Sequence, residues 1–202
     1  ESGDARAILV GDGRTQSSTD KINEQNIRPI WTDDDVYTVK TAVAITKATT
    51  EEEKARSFIK ACIKSRKNYK GSGNPVMYMS EDMLTNCLLL EDTNKRVIYD
   101  TVEKLATALR VSKIVPVPVM EDLSRVVGAD THILGGIYVN LVDYNVGSDK
   151  GGAVNMFDDF DIDYNKQKYL IETRCSGALI KPYSAVAVEF VGKTAELNSV
   201  AA

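Results

Sequence analysis

A chain of 202 residues with one histidine, one tryptophan and three cysteines has few of the groups from which catalytic and metal sites are built. The single His132 would have to serve any Ser-His-Asp or Cys-His arrangement, and no nucleophile elbow accompanies it. Cys62, Cys87 and Cys175 lie far apart and lack metal-ligand spacing. Three thiols cannot all pair with one another, and they read as small buried hydrophobes of a protein made in a reducing cytosol. No apolar run approaches the length of a membrane span, and no signal peptide is visible. Positive charge is also in deficit: 25 Lys and Arg against 29 Asp and Glu give a net charge of -4. That argues against a protein held to nucleic acid by its overall charge. A hydrophobic share of 43% excludes disorder, and the length suits one domain or two small ones sharing a core.

What is present reads as an α+β order. Ala5 to Val10 is apolar and stops at Gly11-Asp12-Gly13-Arg14, either as a helix ended by glycine or as a strand entering a turn. Residues 15–26 are polar. Pro29, Trp31 and Asp33-Asp34-Asp35 precede a strand expected over Val36–Val43. The clearest helix runs from Thr50 to Asn68. Thr50 and Glu53 match a capping box, Ala55, Phe58, Ile59, Cys62 and Ile63 share one face, and Gly71 can end it. A strand (Val76–Met79) leads to a helix opened by Ser80 that buries Met83, Leu84, Cys87 and Leu88. A third helix, capped by Asp100, buries Val102, Leu105, Ala106 and Leu109. Pro116 and Pro118 confine Ile114–Met120 to an edge or irregular strand. Ile137–Val142, Phe160–Tyr164, Lys168–Cys175 and Ala185–Phe190 read as strands.

Each candidate for chemistry meets a simpler reading. Gly11-Asp12-Gly13 lacks the third glycine of a dinucleotide fingerprint, since Gln16 stands there, and no Gly-Lys-Ser/Thr follows; a turn suffices. Asp159, Asp161, Asp163 and Asn165 alternate like a calcium loop, but Tyr164 replaces its glycine and Leu170 its final glutamate. A strand with its acids on one face and Phe160, Ile162 and Tyr164 on the other explains the pattern. Lys60, Lys64 and Lys67 form a stripe that reads as a solvated helix face. No catalytic, cofactor-binding or metal residue is assigned and no cofactor is expected. The residues by themselves lead to a structural or binding protein.

The stretch from Phe157 to Glu189 resembles the C-terminal signature of tailed-bacteriophage major capsid proteins with the Hong Kong-type shell fold. The resemblance rests on Asp161-Ile162-Asp163-Tyr164-Asn165, on Tyr169-Leu170-Ile171-Glu172-Thr173-Arg174, and on Ser176-Gly177-Ala178-Leu179 running through Pro182 into a final apolar strand. Ala7–Arg14, Ile27-Arg28-Pro29-Ile30 and Val111–Met120 fit the same family. The resemblance implies an axial domain over residues 23–164, with a sheet flanked by helices. It places residues 1–22 and 165–192 in a peripheral domain and residues 193–202 in a C-terminal tail. It implies a non-enzymatic major capsid protein that self-assembles, through hexamers and pentamers, into an icosahedral virion shell around double-stranded DNA of a tailed phage or prophage. Synthesis in the bacterial host cytoplasm, scaffold and portal proteins as partners, and no membrane partner are implied as well. An encapsulin-like nanocompartment shell is the alternative; a hydrolase or nucleotide-binding enzyme stands third. The chain opens on Glu1 rather than Met. By the family pattern an arm, an extended loop and most of a spine helix are expected ahead of it, so this chain is expected to be a truncated subunit, monomeric or a small oligomer.

Overall fold

The computed structural model of the chain describes residues 2–11, 13, 26–148, 155–161, 163–172 and 175–197. In chain order the helices are α1 (Ser2–Val10), α2 (Glu51–Ser65), α3 (Glu81–Leu88), α4 (Val102–Leu109) and the short α5 (Thr194–Leu197). The strands are β1 (Thr38–Ala44), β2 (Val76–Met79), β3 (Ile114–Pro116), β4 (Ser124–Val127), β5 (Asp130–Val139), β6 (Tyr144–Ser148), β7 (Asn155–Asp161), β8 (Lys166–Glu172), β9 (Cys175–Leu179) and β10 (Ala185–Lys193). The α+β fold class expected from the sequence is the one observed.

Six strands form one mixed sheet in the order β1-β10-β5-β2-β3, with β4 paired to the first half of β5. β10 runs parallel to β1 and antiparallel to β5. The β10–β5 register slips between Val188 and Glu189 and leaves Gly135 without a partner across the ladder. That bulge lies under two aromatic rings. A Cβ on Gly135 would sit 2.9 Å from the Phe190 ring and 3.1 Å from the Phe58 ring, so only glycine lets them settle there.

Each face of the sheet has its own apolar layer. On one face α2, α3 and α4 bring Phe58, Ile59, Cys62, Leu84 and Leu105 against Met77, Tyr138, Val186, Val188 and Phe190. On the other, Leu9 of α1, Ile30, Trp31, Met120, Tyr144 and Leu179 cover Leu134, Ile137, Val139, Ala185 and Ala187. α1 is held by its C-terminal end: the backbone N–H groups of Ile30 and Trp31 donate to the carbonyls of Ile8 and Leu9, which a helix terminus leaves unpaired. Gly177 admits the Tyr144 ring, which lies 2.7 Å from where a Cβ would project.

α2 begins as its sequence requires. The Thr50 hydroxyl accepts from the Glu53 N–H at 3.3 Å and the Glu53 carboxylate from the Thr50 N–H at 3.0 Å. Four of the five residues expected on its buried face are buried; Ile63 is 44% exposed, because the helix meets the sheet along the Ala55–Phe58–Ile59–Cys62 line and Ile63 falls to its side. Asp100 does not cap α4. The hydroxyl of Thr101 accepts from the Lys104 N–H, and Asp100 pairs with the Lys104 ammonium. The strand expected over Ile137–Val142 runs instead from Asp130 to Val139 and gives way to a 3-10 turn over Leu141–Asp143; its first residues, Asp130 to Ile133, are all half-buried and show no alternation. Of the segment expected as a strand over Phe160–Tyr164, Phe160 and Asp161 end β7, Asp163 and Tyr164 lie in a turn, and Ile162 lies outside the described residues. Residues 173 and 174, inside the strand expected over Lys168–Cys175, lie outside the described residues.

Phe58 is fully buried, and Phe58→Ala is expected to cost about 3–5 kcal/mol. Ile63→Ala is expected to cost under about 1 kcal/mol. Urea denaturation of both variants checks the pair, and equal losses would contradict the helix orientation. Burial pushes the Cys87 thiol up to about 12 and raises that of Cys62 well above the usual range, whereas Cys175 is exposed. One thiol is therefore expected to react with an aromatic disulfide reagent at pH 8, and three after unfolding.

Candidate functional site

The positions singled out by sequence do not converge. His132 lies in β5, not in a loop, and its Nδ1 is 2.7 Å from Oε2 of Glu189. Asp159 and Asp161 are on β7, while Asp163 is in the following turn, where its N–H donates to the Asp161 carboxylate at 3.1 Å. The Lys168 ammonium pairs with Asp161. Both contacts fall on the Asp161 carboxylate, one of the acids that a calcium loop would aim at an ion. No group of three His, Cys, Asp or Glu side chains among the described residues is placed to hold a metal. Gly11 and Gly13 adopt left-handed φ angles of 93° and 69°, with the Arg6 guanidinium against Gly13; Asp12, Arg14 and Gln16 lie outside the described residues. Lys60, Lys64 and Lys67 are all exposed on the α2 side of the molecule.

The polar constellation that the sequence reading missed centres on Glu189, 1% exposed in the middle of β10. Its Oε1 accepts from Trp31 Nε1 at 2.7 Å and from Arg125 Nη2 at 2.8 Å and Nε at 3.2 Å. His132 takes the other oxygen. Arg125 also lies 5.7 Å from the centre of the Trp31 ring. Four segments thus meet on one carboxylate: the connection ahead of β1, and strands β4, β5 and β10. The signal was available. A strand whose flanking residues are all apolar is covered on both faces, so an acid within it must be buried and paired. With both its oxygens engaged, the carboxylate clamps these four segments together.

The exposed apolar surface is elsewhere. β7 and β8 form a two-stranded sheet of their own, joined by a turn in which Asn165 has a φ of 48°. Cross-strand register puts Met156, Phe160 and Tyr169 on one face of this ribbon, at 64%, 50% and 64% exposure. Phe157 on the opposite face and Tyr164 in the turn are also exposed. A two-stranded ribbon is marginal alone in water, and large apolar groups gathered on one mark a contact surface.

No family model and no curated protein matches the chain in sequence. Its fold is found among solved structures. The chain is similar to the capsid of an empty GTA particle, with a TM-score of 0.54 and 12% identity, over 94% of this chain and 60% of that one. Weaker likenesses are to a virus-like particle from Pyrococcus furiosus (TM-score 0.44, 13% identity, 80% and 59% of the two chains) and to a phage-related protein from Bordetella bronchiseptica RB50 (0.43, 14%, 77% and 57%). The chain therefore has a capsid-type fold and spans about three-fifths of the length of the neighbour whose fold it shares.

Glu189→Ala would leave an arginine, an indole N–H and a histidine without their acceptor, and is expected to cost about 3–5 kcal/mol in chemical denaturation. A loss below about 1 kcal/mol would show that the clamp contributes little.

Proposed function

We propose that this protein is a structural shell subunit, a major capsid protein whose copies tile a closed icosahedral particle around the double-stranded DNA of a tailed phage or prophage. The likeness of nearly the whole chain to a capsid subunit carries the reading. Virion localisation, hexamer and pentamer contacts, scaffold and portal partners, and the absence of catalysis belong to the proposal. No helix among the described residues is long and apolar enough to cross a membrane.

The chemistry supports a mechanical role. Tiling needs separate, self-complementary or head-to-tail contacts, each burying roughly 1,200–2,000 Å². The β7–β8 ribbon supplies one such surface. We assign the central sheet and its helices to the axial domain and the ribbon to the peripheral one. The pairing of β10 with β1 and β5 in the central sheet supports counting it with the axial domain as well.

Sedimentation of the purified chain over a concentration series tests the proposal. Expected is a concentration-dependent rise toward ring-sized oligomers, weakened at least about tenfold by Met156→Asp combined with Tyr169→Asp. Of the two states that the resemblance implies for this chain, monomer and small oligomer, the proposal commits to the second, and a strict monomer at every concentration would contradict it.

A further inference from the structure

Although the protein as a whole is acidic, one of its faces is not. Lys60, Lys64 and Lys67 follow one another at helical spacing along the second half of α2 and the 3-10 turn that continues it. Lys70 carries the line into an open groove of about 360 Å³, lined by Val39, Lys67, Asn68, Lys70 and Tyr183. The four lysines are exposed, and no carboxylate lines the groove.

The pairing of charge along α2 is uneven. In its first two turns Lys54 pairs with Glu51 at 2.7 Å and Arg56 with Glu52 at 2.8 Å, and Glu53 is spent on the capping box. Elsewhere Lys40, Lys104, Arg125 and Lys168 also have acidic partners. Among the described residues no ion pair engages Lys60, Lys64, Lys67 or Lys70; the Lys70 ammonium instead lies 5.1 Å from the centre of the Tyr183 ring. The negative end of the helix dipole favours cations near residue 65, but it does not extend to Lys60 or to Lys70.

We infer that this stripe is a sequence-independent contact for the phosphate backbone of duplex DNA, and that the α2 side of the subunit is the side that meets nucleic acid. The inference rests on the shell reading above and goes beyond it by naming the face and its residues. Lysine, rather than arginine or aromatic side chains, dominates the patch, and lysine is depleted at protein–protein interfaces. Its lone exposed large apolar member on α2 is Ile63. From Lys60 to Lys67 the helix rises about 10 Å, the length over which one duplex strand passes about three phosphates. Contacts of this kind are weak and salt-sensitive, which suits a shell that must line its contents without gripping them.

The test is fluorescence anisotropy of the folded chain with two unrelated 20-base-pair duplexes, from 20 to 200 mM salt. Equal binding of both duplexes is expected, with log K falling against log salt with a slope of about -3. Lys64→Gln with Lys67→Gln is expected to weaken binding at 20 mM salt at least about tenfold and to lower the slope by about 2. Lys95→Gln with Lys113→Gln, an equal charge change on exposed residues elsewhere, is expected to leave binding within about twofold. Thermal melts establish that both variants fold. No binding at 20 mM salt, or equal loss in the two variants, overturns the inference. So does salt-dependent self-association abolished by the stripe variant in place of DNA binding, which would assign the stripe to a second copy. Oligomers that form while the stripe ignores DNA would leave the shell reading standing without this contact. A strict monomer that binds DNA through the stripe would do the reverse.

Discussion

The pairing of β10 with β5 is buried on both faces, and that burial dictates what the neighbouring segments must supply. A strand in such a place cannot use the usual compromise of one oily face and one wet face. Each of its side chains has to be apolar or fully partnered. β10 meets the requirement with Ala185 to Val188 and Phe190, and at Glu189 with a carboxylate whose bonds reach Trp31, Arg125 and His132. The three helices on one side and α1 with the Ile30–Trp31 segment on the other are the two coats this demands. The unpaired Gly135 follows from the same constraint, since Phe58 and Phe190 fill the space over it.

Local signals in the sequence were read well where they were local in physical origin. The Thr50–Glu53 box, the Ser80 cap and the apolar line along α2 depend on residues three or four apart, and all three are present in the fold. Of the edge or irregular strand expected over Ile114–Met120, only Ile114–Pro116 is strand; it lies at the edge of the sheet, where the donor missing at Pro116 is tolerated, and Pro118 opens a 3-10 turn. The true start of β5 and the identity of the partners of Glu189 were not legible. They depend on what comes from more than fifty residues away to cover a face, and periodicity within a window carries no record of that. Thr101 caps α4 in place of Asp100, because it is the side chain that the backbone leaves beside the Lys104 N–H.

The surfaces were the least legible. Lys60, Lys64 and Lys67 look in a linear reading like any solvated face. Only the fold reveals that nearby acids are already engaged elsewhere and that Lys70 and Tyr183 extend the patch. The ribbon presents the opposite case. Its aromatic residues read as one side of a strand that should pack on something, and in the single chain they face outward.

The position of β10 also bears on how the protein is made. Its partner β1 and the indole that binds Glu189, 158 positions away, leave the ribosome long before it does. Until β10 follows, β1 lacks its partner in the sheet, and the apolar faces of the helices lack Val186, Val188 and Phe190 to close upon. The sheet is therefore completed late, in one step that joins distant parts of the chain, and such non-local closure is slow. During translation the nascent subunit carries an open apolar slot shaped for one particular strand, and the same slot accepts the β10 of another unfinished copy. Where many identical chains are translated close together, that exchange is a natural route to misassembly.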